Sequence, residues 1–159
     1  MSKLRYRIPE VLCVTALIAF IVLLIFSRSG GSEKPVDEIA APVIKAMDEG
    51  QMTRQPKADA AGAFSIDLSQ AEGLVYYAND DIMDVSECLI LKLKDESDAE
   101  SVQASIEAHI ASQKNLYKNY APEQYALLND SLLEVSGNMI FYCTAKNADA
   151  LYDAFRAAL

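Results

Sequence analysis

Few side chains in this chain of 159 residues have a type and spacing suited to chemistry, and its one histidine is the first to consider. A catalytic histidine needs a nucleophile and an orienting group, and a metal-binding histidine needs several further nitrogen or sulfur ligands. No motif supplies either set for His109, which follows Ile106 by three positions at the edge of an apolar helical stripe. We therefore predict a structural or solvent-facing histidine, and no catalytic residue, metal site or cofactor.

A second candidate is a cluster of carboxylates formed by Asp80, Asp81, Asp84 and Glu87. Carboxylate oxygens are ligands that calcium prefers, but a calcium loop carries acidic residues at alternate positions and a glycine at its turn. This cluster has neither feature and follows Asn79, which favours a turn. We predict a solvated turn between two strands.

The cysteines are a third candidate, because an exported domain can be oxidised. Cys13 lies in an apolar N-terminal run, which leaves Cys88 and Cys143 as the only pair. Cys88 alternates with the leucines of its strand, whereas Cys143 shares a face with the apolar Phe141. If these apolar faces both point inward, the two thiols lie on opposite sides of the sheet and cannot meet. We predict two free, partly buried thiols and no disulfide.

Three tyrosines are concentrated around a proline, and they form the candidate interaction surface. Its residues are Tyr117, Tyr120, Pro122, Glu123, Gln124 and Tyr125. Tyrosine offers a large contact area with a polar tip, which suits recognition, but tyrosines at helical spacing also pack in cores. Both interpretations stay open. Gln113 lies on the same stripe, and we expect its amide to bond the turn near Pro122 or the end of a strand.

The elements that position these residues follow from hydrophobic periodicity. We predict a helix over 35–50 interrupted by Pro42, strands over 74–77, 86–94, 132–135 and 139–145, a long helix over 97–121, a short helical segment over 123–129, and a last helix from 147. Ser97 and Glu100 have the spacing of a capping box, and Gly137 with Asn138 suits a hairpin. The order predicts an α+β fold, with a two-layer, mainly antiparallel sheet of three to four strands and helices on one face, after an N-terminal transmembrane helix.

The N-terminal apolar run, residues 8–27, is predicted to be that helix. The nineteen residues from 8 to 26 would span about 28 Å as a helix, just enough for a hydrocarbon core of about 30 Å. Three basic residues precede the run and one follows it, which predicts a cytoplasmic tail at 1–7 and an extracytoplasmic domain at 66–159. Residues 28–65 are predicted to be a tether and a membrane-proximal helical region. A cleaved secretory signal is the alternative.

Charge restricts the partners. Beyond residue 28 there are ten Lys and Arg against twenty-two Asp and Glu, a net charge of −12. An acidic domain repels the phosphates of nucleic acid, so we predict no nucleic-acid partner. The predicted partners are the lipid bilayer, through residues 8–27, and another membrane or envelope protein.

Several pieces of this sequence carry a resemblance to a known family. They are Glu87 to Asp95 (ECLILKLKD), Gln113-Lys114, Tyr120-Ala121-Pro122-Glu123-Gln124-Tyr125, Gly137-Asn138 and Ala154-Phe155. Over roughly residues 70–159 the chain resembles domain-of-unknown-function family 4358, small membrane-anchored proteins of Gram-positive bacteria. The resemblance implies an extracytoplasmic domain with no established activity. Genes of this family often lie near those of membrane O-acyltransferases, which implies an accessory role in modifying envelope polymers.

From these observations we expect a non-catalytic accessory or protein-interaction domain of the bacterial cell envelope, held at the cell membrane by a single pass. The alternative is a sensor domain that binds a small ligand or a wall polymer. A small envelope hydrolase ranks below both, because no catalytic constellation is visible.

Overall fold

A computed structural model describes residues 17–18, 32–48 and 51–159, and the chain divides into two units, 1–30 and 31–159. In the first unit Leu17 and Ile18 are described, and both are helical. The predicted cytoplasmic tail, the remainder of the predicted anchor, Cys13 and the start of the tether lie outside the described residues. Among the residues that are described, no helix has both the length and the apolar character needed to span a bilayer.

The second unit is an α+β domain. Its helices are α1 (Val36–Ala46), α2 (Lys57–Phe64), α3 (Ala99–Tyr117), α4 (Pro122–Asn129) and α5 (Ala148–Ala158), and its strands are β1 (Thr53–Arg54), β2 (Ala71–Ala78), β3 (Glu87–Leu93), β4 (Leu132–Ser136) and β5 (Met139–Thr144). The strands form one antiparallel sheet in the order β1-β2-β3-β5-β4. The α+β class and the antiparallel pairing are confirmed. The sheet has five strands rather than three to four, because β1 is too short to show a period-two pattern.

Helices cover both faces of this sheet, so the prediction of two layers with helices on one face is wrong. Helices α1 and α5 pack on the face of β3 that carries Cys88 and Ile90, and α2 and α3 pack on the face that carries Leu89 and Leu91. Every residue of β3 is therefore buried. The charged Lys92 led to the prediction that one face of β3 is exposed. Its side chain is in fact only 6% exposed, because its Nζ lies 2.9 Å from Glu72 Oε1.

The assumption that only one face of the sheet is covered also led to a wrong prediction for the cysteines. Cys88 lies directly opposite Cys143 in the pairing of β3 with β5, and both belong to the apolar cluster beneath α1 and α5. The prediction that they lie on opposite sides of the sheet is wrong, because both faces of β3 are inner faces. Both thiols are free in this structure, and they are fully buried rather than partly buried.

Helix α3 is shorter than predicted at both ends. A 3-10 turn, Glu96–Asp98, precedes it, and the predicted capping box is not formed. Instead the Asp95 carboxylate accepts a hydrogen bond from the Ser97 N–H at 2.9 Å, which holds the pKa of Asp95 below its usual value. Pro122 does not end α3 but opens α4, where the missing proline N–H leaves no bond unmade.

Helix α1 runs through Pro42 without a break and lies very close to the sheet. A Cβ placed on Gly73 of β2 would lie 2.5 Å from Val36 Cγ1, closer than nonbonded carbon atoms approach, so only glycine fits there. In the hairpin between β4 and β5, Gly137 has a φ of 59°, which confirms the predicted turn.

Candidate functional site

A buried carboxylate, Glu87, is the centre of a polar cluster on the α2 and α3 face of the sheet. Its Oε1 accepts a hydrogen bond from the Tyr142 hydroxyl at 2.8 Å and lies 2.7 Å from His109 Nε2. Its Oε2 accepts from the Tyr76 hydroxyl at 2.8 Å. Thr144 extends the chain, with its Oγ1 2.8 Å from the Tyr142 hydroxyl. We call these five residues the Glu87 cluster.

The two partners of His109 determine where its protons lie. Its Nδ1 is 3.1 Å from the Ala63 carbonyl oxygen, which can only accept, so Nδ1 carries a proton. An ionised carboxylate also only accepts, so the contact between Nε2 and Glu87 needs a second proton. Two phenols donate to Glu87, which favours the ionised carboxylate, and the contact with His109 is an ion pair when the imidazole carries both protons. The buried pair carries no net charge.

The cluster is largely buried. The side chains of His109 and Glu87 are each 10% exposed, and the Phe64 ring packs against the rings of His109, Tyr76 and Tyr142. Burial raises the pKa of both tyrosines, and the negative charge of Glu87 raises it further. Both phenols therefore stay protonated and act as donors to the carboxylate.

Three adjacent strands and one helix bring the cluster together. Tyr76 on β2 and Tyr142 on β5 both lie opposite Leu89 of β3, so the two phenols flank Glu87, which is two residues away on the same face. His109 approaches from α3, where Ile106 packs against the sheet one helical turn earlier. The sheet register fixes the carboxylate and phenols, and α3 supplies the cation.

Glu87 was assigned wrongly to the solvated turn. It is 7% exposed and belongs to β3 rather than to the loop. The signal was present in the sequence, since Glu87 has the same parity as Leu89, Leu91 and Leu93 and so lies on their face. His109 is half buried and contacts Glu87 and the Ala63 carbonyl, and no sequence motif indicated either partner.

Most hydrogen-bonding positions of the Glu87 cluster are occupied by groups of the protein itself. A general base or nucleophile needs a lone pair directed toward a substrate. In the Glu87 cluster both imidazole nitrogens and both carboxylate oxygens already have partners within the protein. The geometry suits a structural ion pair that fixes α3 on the sheet.

A narrow cleft of about 160 Å³ opens beside Glu87. Its walls are Tyr76, Gln113, Tyr117 and the loop 79–86. Ligand pockets usually enclose about 300 Å³ or more, so the cleft admits only a very small molecule. Gln113 is half buried in it, and its amide makes no hydrogen bond with the part of the chain that the structure describes. The bond expected from Gln113 to the turn near Pro122 or to a strand end is not formed.

The loop 79–86 is held in one conformation by its own polar side chains and by two residues of the helices. Within it, side-chain oxygens accept from backbone N–H groups two residues further on, at Asn79, Asp81 and Asp84. The Tyr117 hydroxyl donates to the Ile82 carbonyl at 2.8 Å, and the Gln124 Oε1 accepts from the Val85 N–H at 3.0 Å. The predicted turn is confirmed for the three aspartates.

Four large apolar side chains are exposed around this loop. Ile82 is 86% and Met83 51% exposed on the loop, and Leu116 is 57% and Tyr120 53% exposed at the end of α3. The two pairs flank the hydrogen bond from Tyr117 to Ile82, so they lie at the same end of the domain. We call these four residues the tip surface.

The candidate interaction surface is only partly a surface. Tyr117 is 5% exposed, and it packs with the half-buried Tyr125 in a small apolar cluster. Gln124 is half buried and holds the loop, whereas Tyr120, Pro122 and Glu123 are exposed. Tyr117 and Tyr125 thus pack within the domain, and Tyr120 has the exposure that an interaction surface requires. Sequence reasoning missed the exposed apolar residues of the loop, because isolated apolar residues in a turn have no periodicity.

Residues 45–145 match the family model described as "Domain of unknown function (DUF4358)", more than half of the chain. The chain belongs to the DUF4358 family. Comparison with curated proteins and with solved structures finds no match to it.

The DUF4358 match confirms the resemblance and moves its limits. It begins at residue 45 rather than near 70, so β1 and α2 belong to the shared part of the family. It ends at residue 145, before α5 and its Ala154-Phe155 pair. The Glu87 cluster and the tip surface both lie inside the matched residues.

Proposed function

We propose that this DUF4358 domain is a non-catalytic accessory domain that binds another protein of the cell envelope through its tip surface. The observation that carries the proposal is the exposure of Ile82, Met83, Leu116 and Tyr120 at one end of the domain. Apolar patches on a soluble face mark interaction sites, and aromatic and methionine side chains are enriched at the centres of interfaces.

The loop is suited to binding because its backbone is already ordered. Tyr117 and Gln124 fix Ile82 and Val85 by hydrogen bonds, so little conformational entropy remains to be lost when a partner binds. Three exposed carboxylates, Asp80, Asp81 and Glu123, outnumber the exposed Lys118 between Leu116 and Tyr120, so the rim carries net negative charge. The partner therefore presents an apolar patch with a basic rim, consistent with the net charge of −12 beyond residue 28.

The absence of catalysis belongs to the proposal. It is supported by the hydrogen bonding of the Glu87 cluster, which engages both nitrogens of the histidine with groups of the protein itself. Placement outside the cell, behind a membrane anchor at residues 8–27, is supported by the apolar run and by the excess of basic residues before it.

Site-specific photocrosslinking in intact cells tests the proposal. A photoreactive amino acid replaces Ile82 or Leu116 in the full chain, and a matched control replaces Leu68, another exposed apolar residue. Leu68 lies just before β2, which begins at Ala71 and pairs there with Leu93 at the end of β3. The tip surface lies at the opposite end of these two strands, where the loop 79–86 joins them. Both tip positions are expected to crosslink to the same protein, and position 68 is not.

Binding must also depend on the apolar character of the tip. With the partner identified, Ile82→Asp and Leu116→Asp are expected to weaken its binding at least tenfold, while Leu68→Asp leaves it unchanged. Different proteins captured at 82 and 116, or equal capture at 68, would overturn the proposal.

A cleft of about 450 Å³ favours the second candidate, a domain that binds a small ligand or wall polymer. Its polar lining includes Asn129, Ser131, Lys146 and Asp149, between the end of α4 and the start of α5. Soluble wall fragments would then raise the melting temperature of the domain, and Lys146→Ala would abolish the shift. An unchanged melting temperature at saturating fragment concentrations would exclude this candidate for the fragments tested.

A further inference from the structure

Cys88 and Cys143 lie opposite each other at a position of the sheet where side chains approach most closely. Opposed residues of antiparallel strands alternate between pairs that exchange backbone hydrogen bonds and pairs that do not. The Leu93 N–H donates to the Asn138 carbonyl at 2.8 Å, so these two residues form a bonded pair. Five residues back along β3, the alternation makes Cys88 and Cys143 a non-bonded pair.

That position is compatible with a covalent bond between the strands. Non-bonded pairs have Cα atoms about 4.5 Å apart, within the range of about 4.4 to 6.8 Å that disulfides span. Both side chains point to the face covered by α1 and α5, where neither meets solvent. No change in strand register is needed for the two sulfur atoms to meet.

We propose that Cys88 and Cys143 are a redox modification site, at which the folding domain takes up a cross-strand disulfide from a disulfide oxidant. The bond joins β3, the central strand of the sheet, to its neighbour β5. It closes a loop of about 55 residues that contains α3, α4 and β4.

The reaction is a thiol-disulfide exchange in two steps. One cysteine thiolate attacks a sulfur of the oxidant R–S–S–R, which forms a mixed disulfide and releases one R–S⁻. The second cysteine thiolate attacks the first cysteine sulfur, closes the Cys88–Cys143 bond and releases a second R–S⁻. The two cysteine protons end on the two released thiolates, so the cysteines lose two electrons and the oxidant gains them.

The folded domain resists this reaction in both directions. Cys88 is 1% and Cys143 0% exposed, so an oxidant cannot reach them once α1 and α5 are in place. The hydrogen bond to Cys143, together with burial, raises the pKa of the Cys88 thiol, which removes the reactive thiolate. The bond therefore forms while the chain folds, and the completed core then shields it from reductants.

The test is a comparison of oxidation during folding with oxidation after folding. The full chain carries Cys13→Ser, which leaves Cys88 and Cys143 as its only cysteines, and is kept in detergent because of its apolar N-terminal run. Reduced, urea-unfolded protein is refolded with oxidised glutathione or with reduced glutathione. A third sample is refolded in reductant, freed of it, and then exposed to oxidised glutathione. Free thiols are alkylated under denaturing conditions and counted by mass.

The sample refolded with oxidised glutathione is expected to have no free thiol, and the other two samples to keep two. Its digest contains one peptide pair linking Cys88 to Cys143, and its urea midpoint lies above that of the reduced protein. Two free thiols after oxidative refolding, glutathione adducts at single cysteines, or disulfide-linked dimers would each overturn the proposal. Equal oxidation of the already folded sample would refute formation before the core closes.

Discussion

The Glu87 cluster and the tip surface lie at the same end of the β2–β3 hairpin, yet they reverse the usual distribution of polar and apolar side chains. The ionisable residues His109 and Glu87 are inside, and Ile82, Met83 and Leu116 are outside. The residue types that suggest chemistry are engaged in holding the fold together. The tip surface contains neither a histidine nor a carboxylate.

Different forces maintain the two regions. A buried ion pair is held by complementary donors and acceptors, and removal of one partner leaves an unpaired charge in a medium of low dielectric constant. The tip surface has no such mutual support, and its shape depends on hydrogen bonds from Tyr117 and Gln124 to the backbone of the loop. Substitution should therefore affect stability in one region and binding in the other.

Glu87→Ala is expected to have the largest effect on stability. It removes the acceptor of three buried donors and leaves His109 without its counter-charge, so the free energy of unfolding should fall by about 3 to 5 kcal/mol. Urea denaturation followed by circular dichroism measures the change. Glu123→Ala is the matched control, because Glu123 is exposed, and it should change the free energy little. Equal effects of the two substitutions would contradict the buried ion pair.

Tyr142→Phe removes one of the three donors and keeps the ring in place. Hydrogen bonds to charged groups contribute about 1.5 to 3 kcal/mol, and the same loss in unfolding free energy is expected here. The control is Tyr120→Phe, whose ring is 53% exposed. If Tyr142→Phe were as stable as the parent in urea denaturation, the hydroxyl would not be bonded to Glu87.

Alkaline pH should weaken the Glu87 cluster through its phenols. The pKa values of Tyr76 and Tyr142 are raised in the folded state above the ordinary value of about 10, so their contribution is complete below pH 10 and is lost as pH rises above it. Each phenol then lowers the free energy of unfolding by about 1.4 kcal/mol per pH unit.

Urea denaturation at pH 9 and pH 11 measures this dependence. The double variant Tyr76→Phe/Tyr142→Phe is less stable at pH 9, but its stability should fall less between the two pH values. The same slope in variant and parent would show that the two phenols do not keep their protons in the folded state.

The tip surface should show the smallest effect on stability. Ile82→Ser and Leu116→Ser change exposed side chains and are expected to alter the free energy of unfolding by less than about 0.5 kcal/mol. The same variants should lose the crosslinked partner. A large loss of stability would show that these side chains pack within the domain, and the contrast between the two regions would fail.

The sequence was sufficient for features that depend on local pattern. The strand through Leu89 and Leu91, the hairpin at Gly137 and the family resemblance around Tyr120 all appear in short windows of residues. Even the burial of Glu87 was present in the alternation of its strand. What local pattern could not supply was the partner of Glu87, because His109 lies on a helix that meets the sheet only in three dimensions.

The number of layers could not be predicted for a related reason. A lysine in a strand normally indicates a face that is exposed to solvent. Lys92 is nevertheless buried, because its ammonium group forms a salt bridge with Glu72, and the sequence alone does not show this. The error then passed to Cys88 and Cys143, whose relative positions depend on which faces are inner. The exposure of Ile82 could not be predicted from the sequence either. It depends on the conformation of the loop, which is held by a hydrogen bond from the distant Tyr117 to the Ile82 carbonyl.

The contact between Gly73 and Val36 has a consequence in terms of suppressor genetics. Gly73→Ala would drive a methyl group into the Val36 side chain and push α1 away from β2. Val36→Ala removes the atom that the new methyl group would meet at 2.5 Å but keeps the Val36 Cβ at 3.0 Å, so it should suppress part of the defect of Gly73→Ala although each substitution is harmful alone. A selection for restored folding of the Gly73→Ala chain should therefore return changes at position 36 of α1.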